Sequence, residues 1–225
     1  MFPAIPTPFH PDGSVDTRTL RSILEDNISH GVHGFWIAGG TGEGAIMNDE
    51  QRATVARVSG QVCNGRALSI MHVGAPTTDS AVKAAIVARE SGCDAICCVP
   101  PFFYKPSDAS TVEHYQRVAD AADLPFFAYN LPHLTNVEIT VPLMEKIIRG
   151  VPQLTGLKHS STNFPELMEF AAMGLRAFSG NGMLFLPALA NGGVGVVDAP
   201  PGVAPWLYVD IFRAWESSDI KKATS

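Results

Sequence analysis

The segment ALSIMHVGAPTTDSAVKAAIVARESGCDAICCV, Ala67 to Val99, holds a strand, a helix and a second strand in one run. Ala67–His72 and Ala95–Val99 are short and apolar, and each is bounded by Gly, Pro or polar residues. Between them, Thr77–Ser91 carries a helical pattern. A strand–helix–strand unit of this kind implies two parallel strands joined by a right-handed crossover.

The same alternation extends in both directions. Further strands are expected at Phe2–Thr7, Gly34–Ile37, Pro125–Tyr129, Leu154–Lys158, Leu175–Ser179 and Gly193–Val197. Asp16 can cap a helix that presents Leu20, Ile23, Leu24 and Ile28 on one face. Asn48 can open another, with Asp49 and Glu50 in its first turn, where acidic side chains suit the helix dipole. Thr140 precedes Val141 and Pro142, a helix start with proline in the first turn. The remaining helices are expected near Asp108–Ala122, Asn163–Ala172, Met183–Ala190 and Ala204–Ser217. Eight such units predict a closed (β/α)8 barrel, an α/β fold, over an open doubly wound sheet. The open alternative lacks a G-x-G-x-x-G fingerprint after its first strand. A single domain over residues 1–225 is expected, short for a barrel and without a C-terminal helical extension.

Composition narrows the functional classes. The 225 residues are 46% hydrophobic, enough for one sizeable core. Charged residues make up 17%, the net charge is -6, and no Lys/Arg run exists, so a nucleic-acid partner is not expected. Pro, Gly or a charge interrupts every apolar stretch before membrane-spanning length. The first residues, MFPAIPTPF, lack the features of a signal peptide. Cys63, Cys93, Cys97 and Cys98 lack metal-site or disulfide spacing and read as buried, reduced thiols, which points to a cytoplasmic location.

In a barrel, chemistry sits at the C-terminal ends of the strands. Lys158 ends LTGLK, on the same face as Leu154 and Gly156. Burial disfavours an ammonium, and a neutral amine can attack a ketone to give an iminium that accepts electrons. The competing reading is a lysine snorkelling to solvent. Tyr129 ends the preceding strand and could move protons at the same mouth, or serve as a core tyrosine. The segment GGTGEG, Gly39–Gly44, joins a strand to a helix, and its amides with the Thr41 hydroxyl suit a carboxylate. It is not a Walker A loop, because no Lys-Ser/Thr follows.

Taken in order, PTPF with DGSVD, GGTGEG, PPFFYKP, YNLP, GLKHSS, SGNG and GGVGVV run from Pro6 to Val197. On these motifs the chain resembles the N-acetylneuraminate lyase and dihydrodipicolinate synthase family of class I aldolases. The resemblance implies a TIM barrel, usually a homotetramer, that holds pyruvate as a Schiff base. It implies that Lys158 is the Schiff-base lysine and Tyr129 the catalytic tyrosine. It also implies that Thr41 binds the carboxylate together with the Gly40 and Gly42 amides. No metal or cofactor is expected, since Schiff-base chemistry needs none.

Departures from the family pattern bear on the substrate. Gly40 stands where the family carries a relay hydroxyl, and Phe103 where it carries a second tyrosine, often donated across a dimer contact; Tyr104 is one residue away. Leu134, preceded by His133, replaces the arginine that a dihydrodipicolinate synthase uses for aspartate semialdehyde. Gly182 and Met183 replace the acidic pair of sialic acid lyases. His133, Ser160 and Asn181 are expected to touch the distal part of a substrate, with Phe103 as a wall and Val197 among the strand-end positions. His72 and His159 lie at strand ends, and His159 is expected to pack away from Lys158. Glu43 is expected to cap its helix, and Asp198 has no second carboxylate or histidine arrangement for a metal. The expected activity is reversible cleavage of a 2-keto acid, such as a 2-keto-3-deoxy sugar acid, into pyruvate and an aldehyde. The alternatives are dehydration of a keto-deoxy sugar acid on the same lysine, and keto-acid binding without turnover.

Overall fold

The computed structural model describes residues 1–224. Eight strands form one parallel sheet: β1 Phe2–Pro3, β2 Gly34–Ile37, β3 Leu68–His72, β4 Ala95–Cys98, β5 Phe126–Asn130, β6 Leu154–His159, β7 Arg176–Ser179 and β8 Gly195–Asp198. Their order runs β1-β8-β7-β6-β5-β4-β3-β2, and a bridge between Ala4 and Trp36 joins β1 to β2. The helices are α1 Thr17–Ser29, α2 Asp49–Cys63, α3 Thr78–Glu90, α4 Asp108–Ala122, α5 Pro132–Thr135, α6 Val141–Gly150, α7 Phe164–Ala172, α8 Phe185–Ala190, α9 Pro200–Val203, α10 Pro205–Glu216 and α11 Ile220–Ala223. The architecture is a (β/α)8 TIM barrel.

Local chemistry sets the element ends. The Asp16 carboxylate accepts the Thr19 N–H at 3.0 Å and starts α1. Asn48 and Gln51 exchange side-chain-to-backbone bonds at 2.9 and 2.8 Å, a capping box that starts α2. The β1 ladder stops at Pro3, short of the expected Thr7, because Pro3 and Pro6 have no N–H to donate. The chain nevertheless stays alongside β8, where the Ala4 N–H donates to the Asp198 carbonyl at 2.9 Å.

Period-2 alternation divides the apolar residues into two sets. On β5, Phe126 and Ala128 face the helices, whereas Phe127 and Tyr129 face the lumen. On β4, Ile96 and Cys98 face outward, while Ala95 and Cys97 face inward. Phe2, Trp36, Ile70, Phe178 and Val197 complete the apolar lumen. β6 contributes Leu157 to the outer layer. A side chain at Gly156 would collide with the Arg176 carbonyl, so glycine is what allows β6 and β7 to meet.

All four cysteines are buried and none is disulfide-bonded. Among the described residues no helix is long and apolar enough to cross a membrane.

Candidate active site

Lys158 stands near the C-terminal end of β6, with Tyr129 and Phe178 as its register partners on β5 and β7. It is only 5% exposed. No Asp or Glu forms an ion pair with it among the described residues. Two aromatic rings border its Nζ instead, Tyr129 at 4.5 Å and Trp36 at 5.7 Å from the ring centroids. Tyr129 packs edge-on against Trp36 at 5.8 Å and His72 at 6.0 Å. These side chains come from β2, β3, β5 and β6, which converge on one mouth only when the barrel closes.

The loop after β2 is held from three sides. The Thr7 hydroxyl donates to the Gly42 carbonyl at 2.8 Å. His72 Nδ1 donates to the Ala38 carbonyl at 3.1 Å. Arg52 Nη2 donates to the Gly44 carbonyl at 2.9 Å. Ala38 and Glu43 take left-handed backbone angles, φ 54° and 58°, so the chain reverses tightly. Among the described residues the N–H groups of Gly40, Thr41 and Gly42 donate to no acceptor. With its carbonyls tied back and these amides unused, the loop can receive an anion.

A pocket of about 150 Å³ opens at this mouth, lined by Gly39, Gly40, Ala45, His72, Val99, Phe102, Tyr129, Leu131, Leu134 and Thr135. Neither a cation nor a carboxylate lines it. The Thr135 hydroxyl is occupied by the Leu131 and Val137 carbonyls. A larger cavity of about 380 Å³ opens at the opposite end of the barrel, against Phe2, Phe127, Arg176 and Phe178. Barrel chemistry occurs at the C-terminal strand ends, so the smaller pocket is the candidate site.

Burial lowers the His72 pKa to about 3, assisted by the charges of Arg52 and Lys158. The ring is therefore neutral near pH 7, and its bond to Ala38 places the proton on Nδ1. The Nε2 lone pair is buried and unpartnered.

Of the expected site residues, Gly40 and Tyr129 line this pocket, whereas Lys158, Thr41 and Gly42 do not, and the remaining expected contacts scatter. Val197 is buried in the lumen opposite Phe2. Ser160 is half-buried beside Gly180, and its N–H donates to the Asn130 carbonyl. Asn181 is exposed, and its side chain caps a short 3-10 turn by accepting the Met183 N–H at 2.9 Å. His133 is exposed on α5. Phe103 is 80% exposed, with φ 82°, and packs on Tyr104; Phe102 is the aromatic that lines the pocket. His159 faces outward, accepting from Asn130 through Nδ1 and donating to the Asn163 carbonyl through Nε2. Asp198 accepts the Gly182 and Ala199 N–H groups and joins β8 to the turn after β7.

The sequence marks Thr7 and Asn130 only as strand-end positions and does not single out Trp36 or Arg52. The Asn130 amide pairs with both backbone groups of Ile139 and anchors the segment after α5. Arg52 could have been noticed by its spacing. It shares the buried face of α2 with Val55, Ala56 and Ser59, an unusual place for a cation.

Comparison with known proteins adds to this geometry. The sequence profile of the dihydrodipicolinate synthetase family matches residues 1–225. A 4-hydroxy-tetrahydrodipicolinate synthase of Maridesulfovibrio salexigens is 31% identical over 225 residues, covering 99% of this chain and 77% of that protein. A probable 2-dehydro-3-deoxy-D-pentonate aldolase of Escherichia coli, YjhH, is 29% identical over 231 residues, covering 100% of this chain and 77% of that protein. The structure of YagE from Escherichia coli, in complex with pyruvate, superimposes with a TM-score of 0.95 at 25% identity, over 99% of this chain and 77% of that one.

Proposed function

The chain belongs to the dihydrodipicolinate synthetase family, class I aldolases acting on pyruvate with an aldehyde, and we propose that it cleaves a 2-keto-3-deoxy sugar acid, or a similar 2-keto acid, reversibly through a Schiff base on Lys158. The Lys158 amine attacks the C2 ketone, and loss of water leaves an iminium. The Gly40–Gly42 amides and the Thr41 hydroxyl hold the C1 carboxylate. Tyr129 takes the C4 hydroxyl proton, the C3–C4 bond breaks into the iminium, and the aldehyde departs. Protonation of the resulting enamine at C3 and hydrolysis then free pyruvate and the lysine.

The observation that carries this reading is a buried lysine without an acidic partner, at the same mouth as a loop with three unused amides. The uncharged pocket supports a short, uncharged aldehyde fragment rather than one bearing a carboxylate. It also supports the likeness to the pentonate aldolase over that to the synthase.

Borohydride reduction in the presence of pyruvate, followed by peptide mapping, tests the lysine. A stable adduct on Lys158 is expected. No adduct would sink both the aldolase and the dehydratase readings and leave keto-acid binding without turnover. Incubation with a 2-keto-3-deoxy pentonate should then release pyruvate; consumption of the keto acid without pyruvate would indicate dehydration. A homotetramer belongs to the same reading and is supported by the exposed Phe103–Tyr104 pair. Light scattering checks it.

A further inference from the structure

Arg52 is only 8% exposed, yet no ion pair includes it among the described residues. A buried arginine ordinarily faces an acid, because an uncompensated charge away from water is costly. Here the guanidinium donates to two carbonyls: Nη2 to Gly44 at 2.9 Å and Nη1 to Gly74 at 3.3 Å. Its Nε is buried and unpartnered. Asp49, one turn earlier on α2, is the acid whose charge it feels, and that residue is exposed. The field of Arg52 also reaches the lumen, where it helps to lower the His72 pKa.

The two carbonyls belong to different elements. Gly44 ends the loop whose Gly40, Thr41 and Gly42 amides stand unused. Gly74 follows β3, the strand that carries His72. Arg52 thus fastens the loop to the end of β3 from behind and leaves a positive charge at the loop's back. Polarised carbonyls, unused amides and an uncompensated guanidinium all favour an anion on the pocket side.

We propose that Arg52 is a positioning residue for the carboxylate of the keto acid, acting through Gly44 and Gly74 without touching the ligand. The inference rests on the Lys158 Schiff-base reading above. It differs from a purely structural role in being selective for charge: loosening Arg52 should weaken ketones that carry a carboxylate and spare those that do not.

The test measures borohydride trapping on Lys158 across a range of pyruvate and, separately, acetone concentrations, in the wild type, R52Q and R52K. For R52Q the half-saturating pyruvate concentration should rise about tenfold or more, the scale of a lost hydrogen bond to a charged group. Its acetone curve should stay where it was. R52K keeps the charge but not the two-pronged reach, and should fall between wild type and R52Q for pyruvate alone. Equal weakening towards both ketones, or no change towards either, overturns the proposal. If R52Q does not fold, R52K carries the same comparison: a selective loss for pyruvate supports the proposal, and an unselective loss or none overturns it. A wild type that traps neither ketone removes the Schiff-base reading itself; a wild type that traps both, beside an unselective variant, removes only the role of Arg52.

Discussion

Tyr129 and Lys158 face each other directly across the β5–β6 pair, and the Lys158 Nζ lies 4.5 Å from the centre of the Tyr129 ring. The ring packs against the amine and the hydroxyl extends beyond it, so packing and proton transfer can be separated by one substitution. Tyr129→Phe keeps the ring. Pyruvate trapping on Lys158 should persist, while cleavage should slow about 10²- to 10⁴-fold, the usual contribution of a placed acid–base group. Trapping compared with steady-state pyruvate release checks this; unchanged cleavage would exclude Tyr129 as the proton carrier.

Gly40 has open space where a side chain would stand, with no atom within 4 Å of an added Cβ. Gly40→Ser should therefore leave stability within about 0.5 kcal/mol of wild type. It places a hydroxyl in the pocket that Tyr129 lines. If proton delivery limits the rate, turnover should rise while the thermal midpoint holds. Initial rates and a thermal melt decide, and an unaltered rate would mean that proton delivery at this position does not limit turnover.

Leu134 lines the pocket and is 64% exposed, so a charge there meets little desolvation cost. Leu134→Arg should raise kcat/KM for condensation of pyruvate with a carboxylate-bearing aldehyde about two- to fivefold relative to a neutral one, the worth of an exposed charge pair. Competition between the two aldehydes reads the ratio directly. No change in that ratio would place the distal end of the substrate elsewhere.

Acid should weaken the fold through its buried histidines, His72 and His114 foremost. Burial lowers His72 to about 3, with help from the charges of Arg52 and Lys158, and lowers His114 to about 4, with help from Arg117. Both values lie below the ordinary 6.5, so the unfolded chain binds the proton more tightly. Their effect is absent above pH 6.5 and grows as pH falls towards 4, by up to about 1.4 kcal/mol per pH unit for each group. Urea midpoints between pH 7 and pH 5 should fall accordingly. His114→Gln should flatten that slope relative to wild type; an unchanged slope would mean that His114 is not the group titrating.

Much of the barrel is legible in the sequence, for physical reasons. Asp16 and Asn48 announce their helices because a side-chain acceptor before an amphipathic run has one obvious use. Lys158 and Tyr129 are legible because period-2 alternation fixes a residue's face. The 3-10 turn Gly44–Ile46 and the four-residue helices α5, α9 and α11 are too short to show any period. Among Phe102, Phe103 and Tyr104, no pattern in a proline-flanked loop tells which enters the pocket; the fold selects Phe102. Arg52 was hidden because its partners are carbonyls, which leave no mark in a sequence.

Gly156 and Lys158, both in the GLKHSS motif, carry different meanings. Because β6 could not seat against β7 with any side chain there, the glycine is a requirement of assembly. A descendant of this chain that abandoned turnover would have to keep it for as long as it stayed a barrel. Nothing in the packing of β6 against β7 holds Lys158 in the same way. On the Schiff-base reading proposed above, the glycine records ancestry and the lysine records occupation, and a tally that scores the pair as one mark would count retired enzymes among the working ones.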